Sequence, residues 1–436
     1  MPPSSRVIRG LKAAAVIFAT FTIIKIFNVS DETAPQLDLL ENDGDEVYRS
    51  LNFSLHEHGF AHVDALNSPV GQNTIVSSME YLNYKHKVLN EDAFGKITAQ
   101  NVEWVIVVQV HNRVEYLKYL IESLQKATGI ERALLVFSHD INNNEINQLI
   151  QSINFTRAIQ IFYPNNIQLF PNHFPGQDPN DCPDRISKAD AEKLKCNNWQ
   201  WPDKYGHYRM AKLSQIKHHW WWKMNYVFDG IVNRYGLNEK YVMLLEEDHY
   251  VSPDALYVLS KMIEHRNQDC DKCEVLCLGF YLKKYNSYES DINKLSVQKW
   301  FSSKHNMGMA INYNTWKKVR ECSQFFCTYD DYNWDWSMLQ VSLKCLKDPF
   351  YVVVAKAPRV IHVGDCGVHT HKCNIRSSLD LALNLFKKDI FFPETLVKSE
   401  VLKRTLKPSK PNGGWGDKRD HELCQNNTYP FTEISS

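Results

Sequence analysis

YVMLLEEDHY, residues 241–250, joins an unbroken apolar run to three consecutive acids. A strand that is apolar at every position is buried on both faces, the habit of a parallel sheet covered by helices. Carboxylates at the end of such a strand are costly to bury without a partner. Glu246, Glu247 and Asp248 therefore either turn to solvent or face something positively charged.

The flanking segments repeat the pattern. EWVIVVQV (103–110) is a second continuous apolar strand, followed by HNR and then an amphipathic helical stretch, EYLKYLIESLQKA. ALLVFSHD (133–140), AIQIFYP (158–164) and VLCLGFY (275–281) read as further strands, and the stretch from about Ser214 to Tyr235 as a helix. Strands spaced by helices predict an α/β fold, a mostly parallel central sheet flanked by helices, with ligands at the carboxyl ends of the strands. Polar clusters stand at three of those ends, Gln109–Arg113, Ser138–Asp140 and Glu246–His249, and should share one rim. Acids in that position suit a divalent cation, which offsets their charge and binds phosphate oxygens. Oxygen ligands with one imidazole favour manganese or magnesium. A solvated acidic turn is the plain alternative.

Composition narrows the setting. The chain has 436 residues, 44% of them hydrophobic, enough for one large core or two modest ones. Its formal net charge of zero gives no general attraction to nucleic acid. Arg6, Arg9 and Lys12 precede an apolar stretch that runs from Ala13 to Phe27, broken by Lys25. This predicts a signal anchor over 13–27, a cytosolic tail over 1–12 and a type II orientation. A cleaved signal peptide is the alternative, but no A-x-A-like site follows Phe27. Residues 28–76 are acidic and aperiodic and read as a flexible lumenal stem, leaving 77–436 as the catalytic domain.

All eleven cysteines lie between Cys182 and Cys424, and sequons stand at Asn52, Asn154 and Asn426. Both fit a lumenal, disulfide-stapled domain. Cys270-x-x-Cys273 has no second CxxC at zinc-ribbon spacing. Cys277, inside VLCLGF, is the natural unpaired thiol.

QVHNR (109–113), VFSHD (136–140), QIKHHWWWK (215–223), LLEEDHY (244–250), NWDW (333–336) and IHVGDCGVH (361–369), in this order, resemble the N-acetylglucosaminyltransferase II family. The resemblance spans about residues 80–430. It implies a GT-A-type nucleotide-sugar fold, UDP-GlcNAc as donor, Mn2+ as metal and attachment to the Golgi membrane through the chain's own anchor. The implied reaction is inverting transfer of GlcNAc to the 2-hydroxyl of the α-1,6-linked mannose of an N-glycan acceptor on glycoproteins.

Carried over position by position, the resemblance makes Asp248 and His362 the metal ligands and Asp335 the general base. It assigns Gln109, Val110, His111, Asn112, Arg113, Asp140, Gln215, Ile216, Lys217, His218, His219 and Glu247 to the nucleotide sugar. Glu246, Tyr281 and Trp334 line the acceptor mannose, with Lys283 or Lys284 where the family has arginine. That exchange keeps the charge and loses the bidentate fork. The implied bridges are Cys182–Cys196, Cys270–Cys273, Cys322–Cys345, Cys327–Cys424 and Cys366–Cys373, with Cys277 free.

The residues themselves leave alternatives. An inverting displacement needs a base on one face of the anomeric carbon and leaving-group stabilisation on the other. Asp331 lies four residues before Asp335, so if DDYNWDW is helical either acid could serve. Trp334 and Trp336 could offer indole faces to a sugar or simply pack. Three adjacent tryptophans, Trp220–Trp222, cannot share one side of a helix, and His218 and His219 equally suit structural hydrogen bonds. PNGGWGDKRDHELC reads as a loop tied down by Cys424. Two other functions compete: a sister 2-β-GlcNAc transferase acting on the α-1,3 arm, and an inactive lumenal glycan-binding homologue.

Overall fold

Alternate residues of EWVIVVQV face opposite sides of a sheet that is covered on both, which is why the run has no polar face. Val105 and Val107 enter one core with the tryptophans Trp220–Trp222, while Ile106 and Val108 enter another with Leu117 and Leu120. The computed structural model describes residues 69–281, 286–364, 375–402, 406 and 410–432, all within the compact unit Val63–Ser436. The expected tail and anchor, most of the stem, Lys283, Lys284, Cys366 and Cys373 lie outside the described residues. A helix occupies Pro69–Lys85, so the end of the expected stem is helical. No described helix is long and apolar enough to cross a membrane.

The strands are β1 (Trp104–Val110), β2 (Ala133–His139), β3 (Arg157–Phe162), β4 (Val242–Glu246), β5 (His249–Val251), β6 (Cys273–Gly279), β7 (Lys294–Lys299), β8 (Met307–Ile311), β9 (Tyr351–Ala355), β10 (Val360–His362) and β11 (Val397–Val401). Their order is β11-β7-β9-β6-β8-β4-β1-β2-β3. The β4-β1-β2-β3 half is wholly parallel, as expected of its apolar runs. β8 enters antiparallel between β4 and β6, and β7 lies antiparallel to β9. Off the main path, β10 runs antiparallel to β5 and sets His362 opposite His249.

Register brings the polar strand ends together. Gln109 is paired with both Ser138 and Glu246, so the three expected rim clusters do converge. The helix Ala211–Tyr226 is buried on nearly every side. Its tryptophans all pack: Trp220 stacks on Trp334, Trp221 on Phe326 and Trp222 on Tyr226.

Four of the implied bridges form, Cys182–Cys196, Cys270–Cys273, Cys322–Cys345 and Cys327–Cys424, and Cys277 is free and buried. Asn154 and Asn426, both sequon asparagines, are exposed.

Candidate active site

The three acids of LLEEDHY have different partners. Glu247, 1% exposed, accepts from the His111 amide through Oε2 (2.8 Å) and from Arg113 Nε through Oε1 (2.6 Å). It thereby freezes the HNR turn that follows β1. The Arg113 guanidinium continues to Asp248, with Nη1 at 2.7 Å from Oδ2. His362 Nε2 lies 3.1 Å from the same Oδ2.

Burial alone would raise the Asp248 carboxyl. The His362 hydrogen bond and the charges of His362 and Arg113 outweigh it and hold the group well below the usual carboxylate range. Burial would likewise lower His362, but the bond to Asp248 raises it. Glu246 stays half-buried, and burial together with the Asp248 charge pushes its carboxyl up.

Two observations test whether a cation fits here. Asp248 Oδ1 is buried with no hydrogen-bond partner among the described residues. Glu246, Asp248 and His249 also present ligand atoms within 4.8 Å of one another. A buried, unspent carboxylate oxygen among acids and imidazoles is the donor set a hard divalent ion prefers, so the residues fit. Backbone clearance contributes as well, because a Cβ on Gly364 would lie 2.3 Å from Asp248 Oδ2. His249 was not foreseen as part of this group. Its Nδ1 accepts from the Glu246 amide at 3.1 Å, and only the β5–β10 pairing brings it beside His362.

Asp140, at the end of β2, organises the second cluster. It lies 2.7 Å from His111 Nδ1 and accepts from Gln215 Nε2 at 3.0 Å. Burial opposes ionisation, yet these bonds and the nearby histidines keep the carboxyl below its ordinary range. His219 Nε2 lies 2.8 Å from Ser138 Oγ, and Lys223 Nζ donates to Gln109 Oε1 at 2.7 Å. Gln215, His219 and Lys223 recur every fourth residue, so one helix face docks on the ends of β1 and β2. That spacing was the available signal for Lys223, which sequence reasoning missed.

Helical geometry turns other expected donor residues elsewhere. Lys217 Nζ donates to the carbonyls of Tyr329 and Asp331, each at 3.0 Å. His218 Nε2 lies 2.9 Å from Asp420 Oδ1 on the C-terminal helix Lys418–Asn426. Neither side chain reaches the rim, since each successive residue rotates about 100° around the axis. Ile216 is half-buried, Val110 is fully buried in the core and Asn112 is exposed.

The third cluster distinguishes the two acids. The helix carrying Asp335 spans Trp334–Gln340 and is preceded by Asn333, so Asp331 does not share a helical face with Asp335. Asp331 is fully buried. Its Oδ1 accepts from the Asn333 amide (2.9 Å) and side chain (3.0 Å), and its Oδ2 from the Asn412 amide (2.8 Å) and side chain (2.9 Å). Asp335 is half-buried and accepts from the Trp336 amide at 2.9 Å.

Burial pushes the Asp335 carboxyl up to about 7; the Trp336 amide opposes this, while the charges of Asp331 and Glu246 add to it. Trp334 is 7% exposed and stacked on Trp220 with centroids 4.3 Å apart. The ring is therefore largely packed, the plainer of the two readings open for it. Tyr281 is 58% exposed, with its ring 5.5 Å from His362, and remains available at the mouth.

The sequence profile of N-acetylglucosaminyltransferase II (MGAT2) matches residues 76–424. The chain belongs to the N-acetylglucosaminyltransferase II family. It is 46% identical over 351 residues to the Sus scrofa alpha-1,6-mannosyl-glycoprotein 2-beta-N-acetylglucosaminyltransferase, covering 79% of this chain and 77% of that protein. The Homo sapiens protein of the same name is 45% identical over 374 residues, covering 83% and 82%. A solved structure of S. aureus TarS 1-349 in complex with UDP-GlcNAc shares 11% identity over 66% of this chain and 68% of that one, with a TM-score of 0.33. As an N-acetylglucosaminyltransferase II family member the chain is a glycosyltransferase, and the clusters on the β1-β2-β4 rim are its candidate active site.

Proposed function

We propose that this enzyme moves GlcNAc from UDP-GlcNAc to the 2-hydroxyl of the α-1,6-linked mannose of N-glycans, with inversion, in the synthesis of complex N-glycans. The relatives' shared name supports the transfer and the arm. The observation that carries the mechanism is Asp335, a half-buried carboxylate pushed up to about 7 beside the acidic rim. Such a group is poised to take a proton near neutral pH.

Asp335 accepts the proton of the mannose 2-hydroxyl as that oxygen attacks the anomeric carbon. The bond from that carbon to the UDP oxygen breaks on the opposite face, which inverts the centre. Gln109, His111, Asn112, Arg113, Asp140, Gln215 and His219 line the donor side, and Glu246 and Tyr281 the acceptor side. Asp248 and His362, with Glu246 and His249 adjacent, would hold Mn2+. When bound, the ion supplies charge that stabilises the UDP leaving group.

The test is transfer by detergent-solubilised full-length protein from UDP-GlcNAc to two acceptors, one with a free α-1,6 arm and one with a free α-1,3 arm. Product on the α-1,6 arm is expected. Product only on the other arm identifies the sister activity, and none on either leaves a glycan-binding homologue. We further propose that the enzyme resides in the Golgi membrane, anchored by 13–27 with its catalytic domain lumenal. Recovery of the tagged full-length chain wholly soluble in the medium, with a processed N-terminus, refutes that placement.

A further inference from the structure

The helix Ala211–Tyr226 grips two parts of the site with two faces. Gln215, His219 and Lys223 hold the donor rim. Lys217 and Trp220, one turn apart, hold the segment that leads into Asp335. Lys217 is fully buried, with Nζ on the Tyr329 and Asp331 carbonyls at 3.0 Å each and 4.3 Å from the Trp415 ring centroid. Trp220 stacks on Trp334 with planes 6° apart.

Between these two grips the chain is closely tied. Asn333 donates its amide to Asp331 Oδ1 at 2.9 Å, and Ser337 Oγ donates to the Asn333 carbonyl at 3.1 Å. A buried amine is costly unless its hydrogens are spent on acceptors. An apolar side chain of equal length would fill the same space without that cost, so simple packing does not account for a lysine here.

We infer that Lys217 is a positioning residue for the base: by holding the Tyr329 and Asp331 carbonyls it sets where the helix Trp334–Gln340, and with it Asp335, stands relative to the nucleotide-sugar rim. This rests on the reading of Asp335 as the base. The same helix holds the donor rim, so it gauges the distance between the two halves of the reaction. A reacting group displaced by about 1 Å loses on the order of 10²-fold in rate.

The test compares K217M, K217R, D335N and the double variant K217M/D335N. The readouts are kcat, acceptor KM and UDP affinity by calorimetry with Mn2+ present. K217M should lower kcat about 10- to 100-fold and leave UDP affinity unchanged. K217R keeps the charge and the donors and should recover part of the loss. In the D335N background K217M should cost nothing more, because residues acting through one group are not additive.

Loss of UDP affinity with kcat retained overturns the inference and makes Lys217 a donor contact. An equal cost in both backgrounds overturns it as a general structural effect. D335N turning over like wild type removes the base itself, and the inference with it. If K217M does not fold, K217Q, which keeps a polar end but shortens its reach to the two carbonyls, carries the test: lower kcat at unchanged UDP affinity supports the inference, and unchanged kcat refutes it.

Discussion

Replacing Asp335 by Asn should slow the enzyme and stabilise it at the same time. Burial that lifts the folded carboxyl from its ordinary value of about 3.9 to about 7 makes its ionisation costly to the folded state. At 1.36 kcal/mol per pH unit the cost approaches about 4 kcal/mol, a ceiling because water reaches a half-buried group. Below about pH 4 the carboxyl is protonated in both the folded and the unfolded chain, so wild type and D335N should melt alike. Between about pH 4 and 7 the unfolded chain releases its proton first, and wild type loses stability relative to the variant. Above about pH 7 the difference is constant.

D335N should therefore melt several degrees higher than wild type at pH 7.5 and equally at pH 4. Its kcat should fall on the order of 10²–10⁴-fold with UDP affinity unchanged. Wild-type kcat should decline on the acid side, to roughly a tenth of its plateau one pH unit below the folded value. Thermal melts across a pH series, with kcat measured in the same buffers, check all three. A melting difference independent of pH refutes the desolvation reasoning, and normal turnover by D335N refutes the base.

D248N should abolish Mn2+ binding measured by calorimetry together with most activity, while H362A should weaken binding less because water can take the vacated position; undiminished wild-type turnover in excess chelator returns LLEEDHY to a purely structural role. G364A places a Cβ 2.3 Å from Asp248 Oδ2 and should weaken Mn2+ affinity by moving that carboxylate; unchanged affinity shows that the carboxylate has room to yield. C424S opens the Cys327–Cys424 bridge, whose partners are 97 residues apart, and by chain entropy should cost about 4–5 kcal/mol. A melting temperature equal to that of wild type refutes that estimate.

What could be read from the residues was whatever depends on local period and on the end of a strand. YVMLL and EWVIVVQV read as parallel and doubly covered, and their polar ends meet because the register sets Gln109 beside both Ser138 and Glu246. What could not be read depends on partners distant in sequence. Asp331 and Asp335 look alike as text; Asn412 and Asn333 separate them by occupying the oxygens of one. His362 reaches Asp248 and His249 because β10 returns antiparallel to β5, and no periodicity announces that return.

The helix QIKHHWWWK shows where the resemblance and the geometry divide. A family motif is a contiguous string, whereas a helix gives only every third or fourth residue to any one neighbour. Gln215 and His219 reach the rim at the end of β2, and Lys223, one turn further, joins them at the end of β1. Lys217 and His218 lie between them in sequence but on other faces, bound to the loop before Asp335 and to the C-terminal helix. A helix that must hold three elements at once keeps only a narrow solvent face, near Lys212 and Ile216, on which to tolerate change. That accounts for an unbroken run of tryptophans, histidines and lysines where a surface helix would alternate. Its buried lysines and histidines, whose proton affinity burial lowers, are therefore tools of alignment, and substitutions along it should divide by face: one row affecting the β1–β2 rim, another the segment before Asp335, a third stability alone.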